Sequence, residues 1–258
     1  MGKTISTGFI TDKINGITVN SSIKCDSRNY NNRTSRNVSY IVMHYTGNSK
    51  DNAKNNANYF ASGSCKASAH FFVDDAAIYQ SVELRDVAWH CGGKSYYHAA
   101  CRNSNAFGIE MCCTAGNYKV SEKTKENAAY LCANLCKRLG ITAEDVDTYV
   151  LRHYDITHKS CPAQMVSNEK EWKAFKEDVK NILTTGAASK EVASQKQNSY
   201  LVKITANVLN VRCGAGTSYD VVTQVKKGEV YTIVEEKNRW GKLKSGAGWI
   251  SLAYTEKI

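Results

Sequence analysis

The eleven residues RHYDITHKSCP, residues 152–162, concentrate side chains that bind metals or act as nucleophiles. They include His153, His158, Lys159, Cys161 and the chain's only proline, Pro162. Imidazole and thiolate are preferred ligands of Zn²⁺, and a cysteine activated by a histidine is a common nucleophile. The segment therefore predicts a metal site or a thiol nucleophile, and the alternative is a polar loop without chemistry.

A further histidine, His44, stands near the end of the apolar run VSYIVMHYTG, which predicts a buried strand. The run DTYVLRHYD predicts another strand that ends at His153. Strand ends in an α/β sheet lie along one edge, where such folds hold their sites. Cys161 follows far enough behind for a loop to fold back, and Pro162 would stiffen that loop. His44, His153 and Cys161 would thus form a three-ligand zinc shell with one open position, unless the histidines are structural.

Hydrolysis at such a site also needs an acid–base group and a stabiliser of negative charge. The apolar run NAFGIEMCC predicts a strand that carries one acid, Glu110, and a carboxylate there is costly to bury without a purpose. The alternative is that Glu110 caps the sheet edge or pairs with an arginine such as Arg152. Lys159 is predicted to point into the same cleft, although alone it would read as a solvated loop lysine.

Helical and strand patterns alternate through residues 1–183, which predicts an α/β domain. SKDNAKNNANYFAS predicts a helix, and SAHFFVDDAAIYQSV predicts two strands joined by an Asp–Asp turn. A longer helix is predicted between the N-cap Ser121 and Gly140, with Cys132 and Cys136 on its apolar face. NEKEWKAFKEDVKNIL predicts an amphipathic helix that buries aromatic residues.

The pattern changes towards the end of the chain. Residues 184–199, TTGAASKEVASQKQNS, contain no large apolar residue except Val192 and predict a flexible linker. Residues 200–258 show short strands with glycine-bearing turns and no helical period, which predicts a small all-β domain.

Composition and charge indicate whether the chain spans a membrane, is exported by a signal peptide or binds an anionic partner. The chain has 258 residues, 42% of them hydrophobic, and no apolar run of membrane-spanning length. Its first residues lack the apolar core of a signal peptide, so we expect the ten cysteines to be mostly reduced and the protein to stay in the cytoplasm until it is released. The formal net charge of +10 favours an anionic partner, but the basic residues are dispersed, so nucleic acid is not expected.

Five ordered blocks resemble the zinc N-acetylmuramoyl-L-alanine amidases, a family that includes phage lysozyme-type amidases and is related to peptidoglycan recognition proteins. The blocks are IVMHYTG, SAHFFVDDAAIYQSV, VAWHCGG, NAFGIEMCC and LRHYDITHKSCP, and the resemblance covers residues 25–183. It implies an α/β fold with a mixed central sheet flanked by helices. It also implies that a zinc-activated water cleaves the amide between N-acetylmuramic acid and L-alanine of the stem peptide.

The resemblance assigns roles to individual residues. His44, His153 and Cys161 would bind Zn²⁺, Glu110 would act as the general base, and Lys159 would stabilise the oxyanion. The position before His70 is Ala69, where some relatives have tyrosine, so any role of that hydroxyl is lost or passes to His70 or another group.

Further residues are expected either to contact the substrate or to be exposed to solvent. Trp89 and His90 lie in a block that lines the substrate groove of the relatives, and with His70 they are expected substrate contacts. His90 could instead be a surface loop residue, and His98 and His158 are expected to be exposed.

Residues 200–258 resemble a bacterial SH3-like cell-wall-binding domain, through the blocks LNVRCGAGTSY and WGKLKSGAGWI. Tyr219, Trp240 and Tyr254 would form its aromatic groove for wall peptide or glycan. A catalytic domain joined to a wall anchor implies a phage or prophage endolysin, or a bacterial autolysin, whose partner is peptidoglycan. Two alternatives stay open: a thiol hydrolase with Cys161 as nucleophile, and a muropeptide-binding protein without catalysis.

Overall fold

The computed structural model describes residues 2–186, 199–217, 219–237 and 239–258, and backbone contacts divide the chain into two units, residues 1–189 and 190–258. The predicted linker at residues 184–199 falls mostly on residues 187–198, which lie outside the described residues. The last helix before it continues to Thr185, past the predicted domain boundary at residue 183.

The first unit alternates strands and helices, as predicted. Its strands are β1 (Lys3–Ile5), β2 (Lys13–Ile14), β3 (Ile17–Thr18), β4 (Tyr30–Asn31), β5 (Arg36–Val38), β6 (Tyr40–Tyr45), β7 (Phe71–Val73), β8 (Ile78–Gln80), β9 (Val87–Ala88), β10 (Ala106–Met111) and β11 (Val150–Arg152). Its helices are α1 (Ala53–Ala61), α2 (Glu122–Leu139), α3 (Val146–Tyr149), α4 (His153–Thr157), α5 (Ala163–Ser167) and α6 (Glu169–Thr185). Single 3₁₀ turns occur at Ser27–Asn29 and Asn103–Asn105.

A five-stranded mixed sheet forms the centre of this unit, in the order β11-β6-β10-β7-β8. The first four strands are parallel and β8 is antiparallel to β7. Strands buried on both faces are mostly apolar, and β6 and β10 are so apart from His44 and Glu110. His44 and Glu110 are directly paired across β6 and β10, so their side chains leave the same face of the sheet.

Helices α2 and α6 pack together and bury apolar residues in the main core. The predicted caps of α2 are confirmed: Ser121 Oγ accepts a hydrogen bond from Thr124 N at 3.0 Å, and Gly140 ends the helix with a φ of 73°. Cys132 and Cys136 are fully buried on α2, as predicted. The ten cysteines, all within the described residues, carry free thiols.

The strand predicted from DTYVLRHYD is wrong in extent. Only Val150–Arg152 is extended, and the residues before it form α3. Asp147 in α3 pairs with Lys176 and Lys180 of α6 at 2.6 and 2.8 Å, a tertiary anchor that local β propensity does not reveal. His153 is therefore the first residue of helix α4 and not the last of a strand.

The second unit is all-β, as predicted. Its strands are β12 (Tyr200–Ile204), β13 (Val208–Arg212), β14 (Val221–Lys226), β15 (Val230–Lys237), β16 (Trp240–Leu243), β17 (Trp249–Ser251) and β18 (Thr255–Lys257), with a 3₁₀ turn at Leu252–Tyr254. They form one antiparallel sheet in the order β14-β13-β17-β16-β15-β12-β18. Val202, Ile204, Val211, Ile233 and Ile250 are buried in its interior. Within the described ranges of both units, no helix is long and apolar enough to cross a membrane.

Candidate metal centre

Three predicted ligand residues converge on one face of the central sheet. One ligand atom from each of His44, His153 and Cys161 lies within 4.8 Å of the others, and all three side chains are buried. His44 comes from β6, His153 opens α4, and Cys161 lies in the loop between α4 and α5. The arrangement therefore brings His44 together with two residues that lie more than 100 positions later in the sequence.

Local backbone contacts fold the loop back so that Cys161 reaches the histidines. His158 ends α4 in the left-handed conformation, with a φ of 59°. The backbone of Cys161 then accepts a hydrogen bond from Tyr154 N at 3.0 Å and donates one to Lys159 O at 2.7 Å. The Cys161–Pro162 peptide bond is cis. The Tyr154–Cys161 hydrogen bond thus ties the far end of the loop to the first turn of α4.

The hydrogen bonds of the two imidazoles leave the right atoms free for a metal. Nε2 of His153 lies 3.0 Å from the carbonyl oxygen of Gly92, which can only accept, so the proton of a neutral ring sits on Nε2. Nδ1 of His153 is buried and has no hydrogen-bond partner. Nδ1 of His44 lies 3.8 Å from Cys161 Sγ, and its Nε2 contacts His90. Two imidazole nitrogens and one sulfur fit the donor set of a zinc site.

Burial keeps these groups in their neutral forms. It lowers the pKa of His44 well below the ordinary value and that of His153 to about 4, and the charge of Lys159 adds to both effects. Burial also raises the pKa of the Cys161 thiol to about 12, with Glu110 as the next cause. Neutral imidazoles are ready to bind a metal, whereas the thiol must lose its proton to solvent or a base before its sulfur can bind a cation.

Glu110 stands beside this group without a partner for its buried oxygen. The residue is half-buried, and its Oε2 atom is fully buried with no hydrogen bond. Burial raises the pKa of Glu110 to about 8, against the opposing effect of Lys159. The alternative that Glu110 pairs with Arg152 is wrong, because Arg152 pairs with Asp155 at 2.8 Å and Glu169 at 2.7 Å.

Glu110 forms part of the wall of a cavity of about 440 Å³. The lining is rich in carboxamides and aromatic rings: Thr46, Asn48, Asp51, Asn55, Asn56, Tyr59, Phe60, Phe72 and Glu110. Asp51 orders two of these side chains, since it accepts hydrogen bonds from Asn48 and Asn56 at 2.8 and 2.6 Å. The cavity can therefore offer polar groups in fixed positions next to the unpartnered carboxylate.

The predicted substrate contact His70 is wrong, because this side chain is fully buried. Its Nδ1 accepts a hydrogen bond from Gly108 N at 3.0 Å, and its Nε2 lies 2.8 Å from Nη2 of Arg36 and 3.2 Å from the carbonyl oxygen of Asp86. Ala69, where some relatives have tyrosine, is buried as well. Both side chains are therefore enclosed in the interior, and the ring nitrogens of His70 are occupied by contacts within the protein.

Trp89 and Lys159, which were also predicted at the site, lie in different places. Trp89 is half-buried beside a separate cavity of about 390 Å³ that contains Arg33, Arg102 and Tyr96, and its Nε1 donates to Asn31 Oδ1 at 2.7 Å. Lys159 is exposed, and its predicted orientation into the cleft stays a prediction.

Two of the histidines expected at the surface differ in exposure. His158 is exposed and stacks on Tyr97 with ring centroids 3.6 Å apart, whereas His98 is half-buried.

His90 is buried, which corrects its prediction as a groove-lining or surface residue. It lies behind His44, and one ligand atom from each of His44, His90 and Cys91 lies within 4.8 Å of the others. Sequence reasoning did not single out Cys91, Gly92 or Gly108 at this centre. One signal was available for Gly108, because an isolated glycine inside an apolar strand marks a close approach of other atoms.

In the second unit, Trp240 and Tyr254 line one cavity of about 250 Å³ together with Val208, Leu209 and Arg212. Tyr219 does not line it. Its ring packs on Gly214, where an added Cβ would lie 2.4 Å away, and its carbonyl accepts a hydrogen bond from Arg212. The predicted three-residue groove is thus a two-residue aromatic cavity and a separate exposed tyrosine.

Fold and site together define an α/β protein with a buried His–His–Cys centre and an appended all-β unit. Residues 34–164, just over half of the chain, match the family described as N-acetylmuramoyl-L-alanine amidase, and residues 207–256 match the bacterial SH3 domain family. The chain belongs to the N-acetylmuramoyl-L-alanine amidase family.

Relatives from Bacillus extend this similarity. The N-acetylmuramoyl-L-alanine amidase CwlL of Bacillus licheniformis is 35% identical over 182 residues, which are 67% of this chain and 48% of the relative. BlyA of Bacillus subtilis (strain 168) is 32% identical over 226 residues, 79% of this chain and 60% of the relative. The chain thus spans about half to three-fifths of the length of these relatives.

Solved structures show the same fold. The catalytic domain of XlyA superposes with a TM-score of 0.52 at 26% identity, covering 63% of this chain and 99% of that domain. The PlyG catalytic domain gives a TM-score of 0.53 at 26% identity, covering 66% and 98%. A mutant endolysin from Bacillus subtilis matches equally well, with a TM-score of 0.52.

Proposed function

We propose that this protein is a zinc-dependent peptidoglycan hydrolase that cleaves the amide bond between N-acetylmuramic acid and L-alanine of the stem peptide. The observation that carries the proposal is the convergence of His44, His153 and Cys161 beside the unpartnered carboxylate of Glu110. His44 and His153 would bind Zn²⁺ through Nδ1, and Cys161 through Sγ. Zinc in such a site acts as a Lewis acid and lowers the pKa of water.

The chain's own residues then carry the proton and stabilise the charge. Oε2 of Glu110 is free to accept a proton from the attacking water and to return it to the amine that leaves. The ammonium group of Lys159 stabilises the negative charge that develops on the scissile carbonyl oxygen. Its influence on the pKa values of Glu110 and both histidines supports its position at the centre.

Substrate is proposed to lie in the cavity beside Glu110. Asn48, Asn55 and Asn56 offer donors and acceptors that suit the amides and hydroxyls of a muropeptide, and the exposed ring of Tyr59 can pack on a sugar. The cavity walls exclude water from part of the carboxylate and so keep the acid–base group protected until substrate arrives.

The second unit is proposed to hold the enzyme on the wall, with Trp240 and Tyr254 as contacts for wall peptide or glycan. Tethering the two units raises the local concentration of the catalytic unit at its polymeric substrate. The net charge of +10 increases residence on an anionic wall. The protein would act at the cell wall as an endolysin or autolysin.

The thiol-nucleophile alternative is disfavoured by the geometry of Cys161. Its side chain is 3% exposed, and burial raises the thiol pKa, whereas a cysteine nucleophile needs an accessible thiolate. The neighbouring His44 has a lowered pKa and does not form the imidazolium that would stabilise that thiolate.

Purified peptidoglycan tests the proposal. Mass spectrometry of digested walls is expected to show new L-alanine amino termini, loss of their release after dialysis against EDTA, and recovery after addition of Zn²⁺. Metal analysis is expected to give one zinc per chain, and Cys161→Ser is expected to lose it. Amine release that persists in metal-free protein would contradict the zinc mechanism, and wall binding without amine release would support the non-catalytic alternative.

A further inference from the structure

A second histidine holds the side of His44 that faces away from the centre. Nε2 of His44 lies 3.0 Å from Nδ1 of His90, and the two rings stand at 88° to each other with centroids 5.1 Å apart. Both side chains are buried. This contact is a hydrogen bond between two imidazoles, and only one of them can donate the proton.

The direction of that hydrogen bond decides whether His44 can bind a metal. If Nε2 of His44 donates, its Nδ1 keeps a lone pair on the side of Cys161, 3.8 Å from the sulfur. If Nδ1 of His90 donates, the proton of a neutral His44 sits on Nδ1 and occupies the position that a metal needs. Metal binding therefore requires His90 to accept at Nδ1, because the partner of the far nitrogen fixes the tautomer of a metal ligand.

The surroundings of His90 hold its ring next to His44. Cys91 Sγ lies 3.1 Å from the same Nδ1 atom. Asn103 Oδ1 accepts hydrogen bonds from the backbone N–H groups of His90 and Cys91 at 3.0 and 2.7 Å, which fixes the backbone. The ring fits against β10 only because residue 108 is glycine, since a Cβ there would lie 2.6 Å from Cγ of His90.

We propose that His90 is a positioning residue for the metal centre: it accepts a hydrogen bond from His44 Nε2 and so holds the His44 ring in the tautomer and orientation that direct Nδ1 to the metal. The inference rests on the proposed zinc site. It gives Gly108 and Asn103 a shared purpose, because both keep the His90 ring against His44.

Three substitutions at residue 90 separate an acceptor from a space-filling ring. His90→Asn keeps an oxygen acceptor close to the position of Nδ1, whereas His90→Leu and His90→Gln remove it there. In the full chain, His90→Leu and His90→Gln are expected to raise the zinc dissociation constant about 10- to 100-fold, measured by competition with a chromogenic chelator. His90→Asn is expected to stay within about threefold of the unsubstituted protein, as a retained acceptor should.

His98→Leu is the matched control, because it removes a half-buried histidine whose Nδ1 accepts only backbone N–H groups. Its zinc affinity is expected to be unchanged. Thermal unfolding of each variant with and without zinc gives a second readout, since a purely structural role lowers both midpoints equally. The proposed role instead reduces the rise that zinc produces.

The outcomes distinguish this inference from the function on which it rests. If the unsubstituted protein binds no zinc, the proposed function fails and the inference falls with it. If it binds one zinc and His90→Leu or His90→Gln bind equally tightly, only the inference is overturned. A loss in His90→Asn as large as in His90→Leu would also overturn the acceptor role.

Discussion

Replacing Glu110 by glutamine is expected to stabilise the metal-free protein while it strongly reduces hydrolysis. Glu110 Oε2 is buried without a partner, and burial raises the carboxyl pKa from 4.5 to about 8. A folded-state pKa above the unfolded value means that the folded state binds the proton more tightly. Glu110 therefore contributes full stability below pH 4.5 and loses it as the pH rises towards 8.

The size of this stabilisation follows from the difference between the unfolded and folded pKa values of Glu110. Each pH unit between the two pKa values changes the free energy of unfolding by at most about 1.4 kcal/mol. Because the residue as a whole is only half-buried, we discount the full shift and expect Glu110→Gln to stabilise metal-free protein by about 1 to 3 kcal/mol at pH 7. Near pH 4.5 the difference from the unsubstituted chain should vanish.

Urea unfolding followed by circular dichroism at helical wavelengths measures the free energy of unfolding of the first unit, because α1 to α6 all lie there. Glu122→Gln is the control, since the Glu122 side chain is 92% exposed and should change stability by less than about 0.5 kcal/mol. Activity of Glu110→Gln on walls should fall about 10²- to 10⁴-fold. Unfolding free energies of Glu110→Gln and the unsubstituted chain that run parallel from pH 5 to pH 8 would refute the argument from burial.

Three further predictions concern other parts of the molecule. Arg36→Met should lower the free energy of unfolding by about 3 to 5 kcal/mol, because the buried guanidinium donates to Leu84 O and Ala106 O and contacts His70. The control Arg33→Met should lower it by less than about 0.5 kcal/mol. Equal losses for the two variants in urea unfolding would contradict the role of the buried guanidinium. Removal of zinc by EDTA should lower the thermal midpoint of the helical transition and leave that of the all-β unit unchanged, as followed by calorimetry. Ala at both Trp240 and Tyr254 should reduce retention on sedimented walls at least about tenfold without changing hydrolysis of a soluble muropeptide, and equal retention would show that this cavity does not anchor the protein.

The sequence predicted which side chains would lie together better than it predicted the path by which the backbone brings them there. His44 is the second-to-last residue of a parallel strand, and Glu110 lies beside it in register. His153, however, begins helix α4, whose start is capped by Asp155, since its Oδ2 accepts a hydrogen bond from Arg152 N at 2.8 Å. The strand-end argument still held, since a helix that starts directly after a strand also leaves from the edge of the sheet.

Residues near the site whose burial the sequence did not reveal were the hardest to assign. His70 precedes β7, and Phe71 and Phe72 are both buried although they face opposite sides of the sheet. When both faces of a strand are covered, alternation no longer distinguishes an inward side chain from one that meets substrate. The same reason applies to His90, whose position behind His44 depends on the packing of its loop against Gly108.

Burial acts on every group of the centre in the direction that removes charge. It lowers the pKa of His44 and His153 and raises that of Cys161 and Glu110, so all four are mainly neutral at pH 7 from their surroundings alone. A neutral cluster costs far less to bury than two charged carboxylate or thiolate groups, so the chain can assemble the site as part of its core. A divalent cation reverses the local pKa order, since it favours the thiolate and the carboxylate that catalysis requires. In the proposed mechanism, the same burial that lets the site fold as part of the core therefore makes hydrolysis depend on the metal.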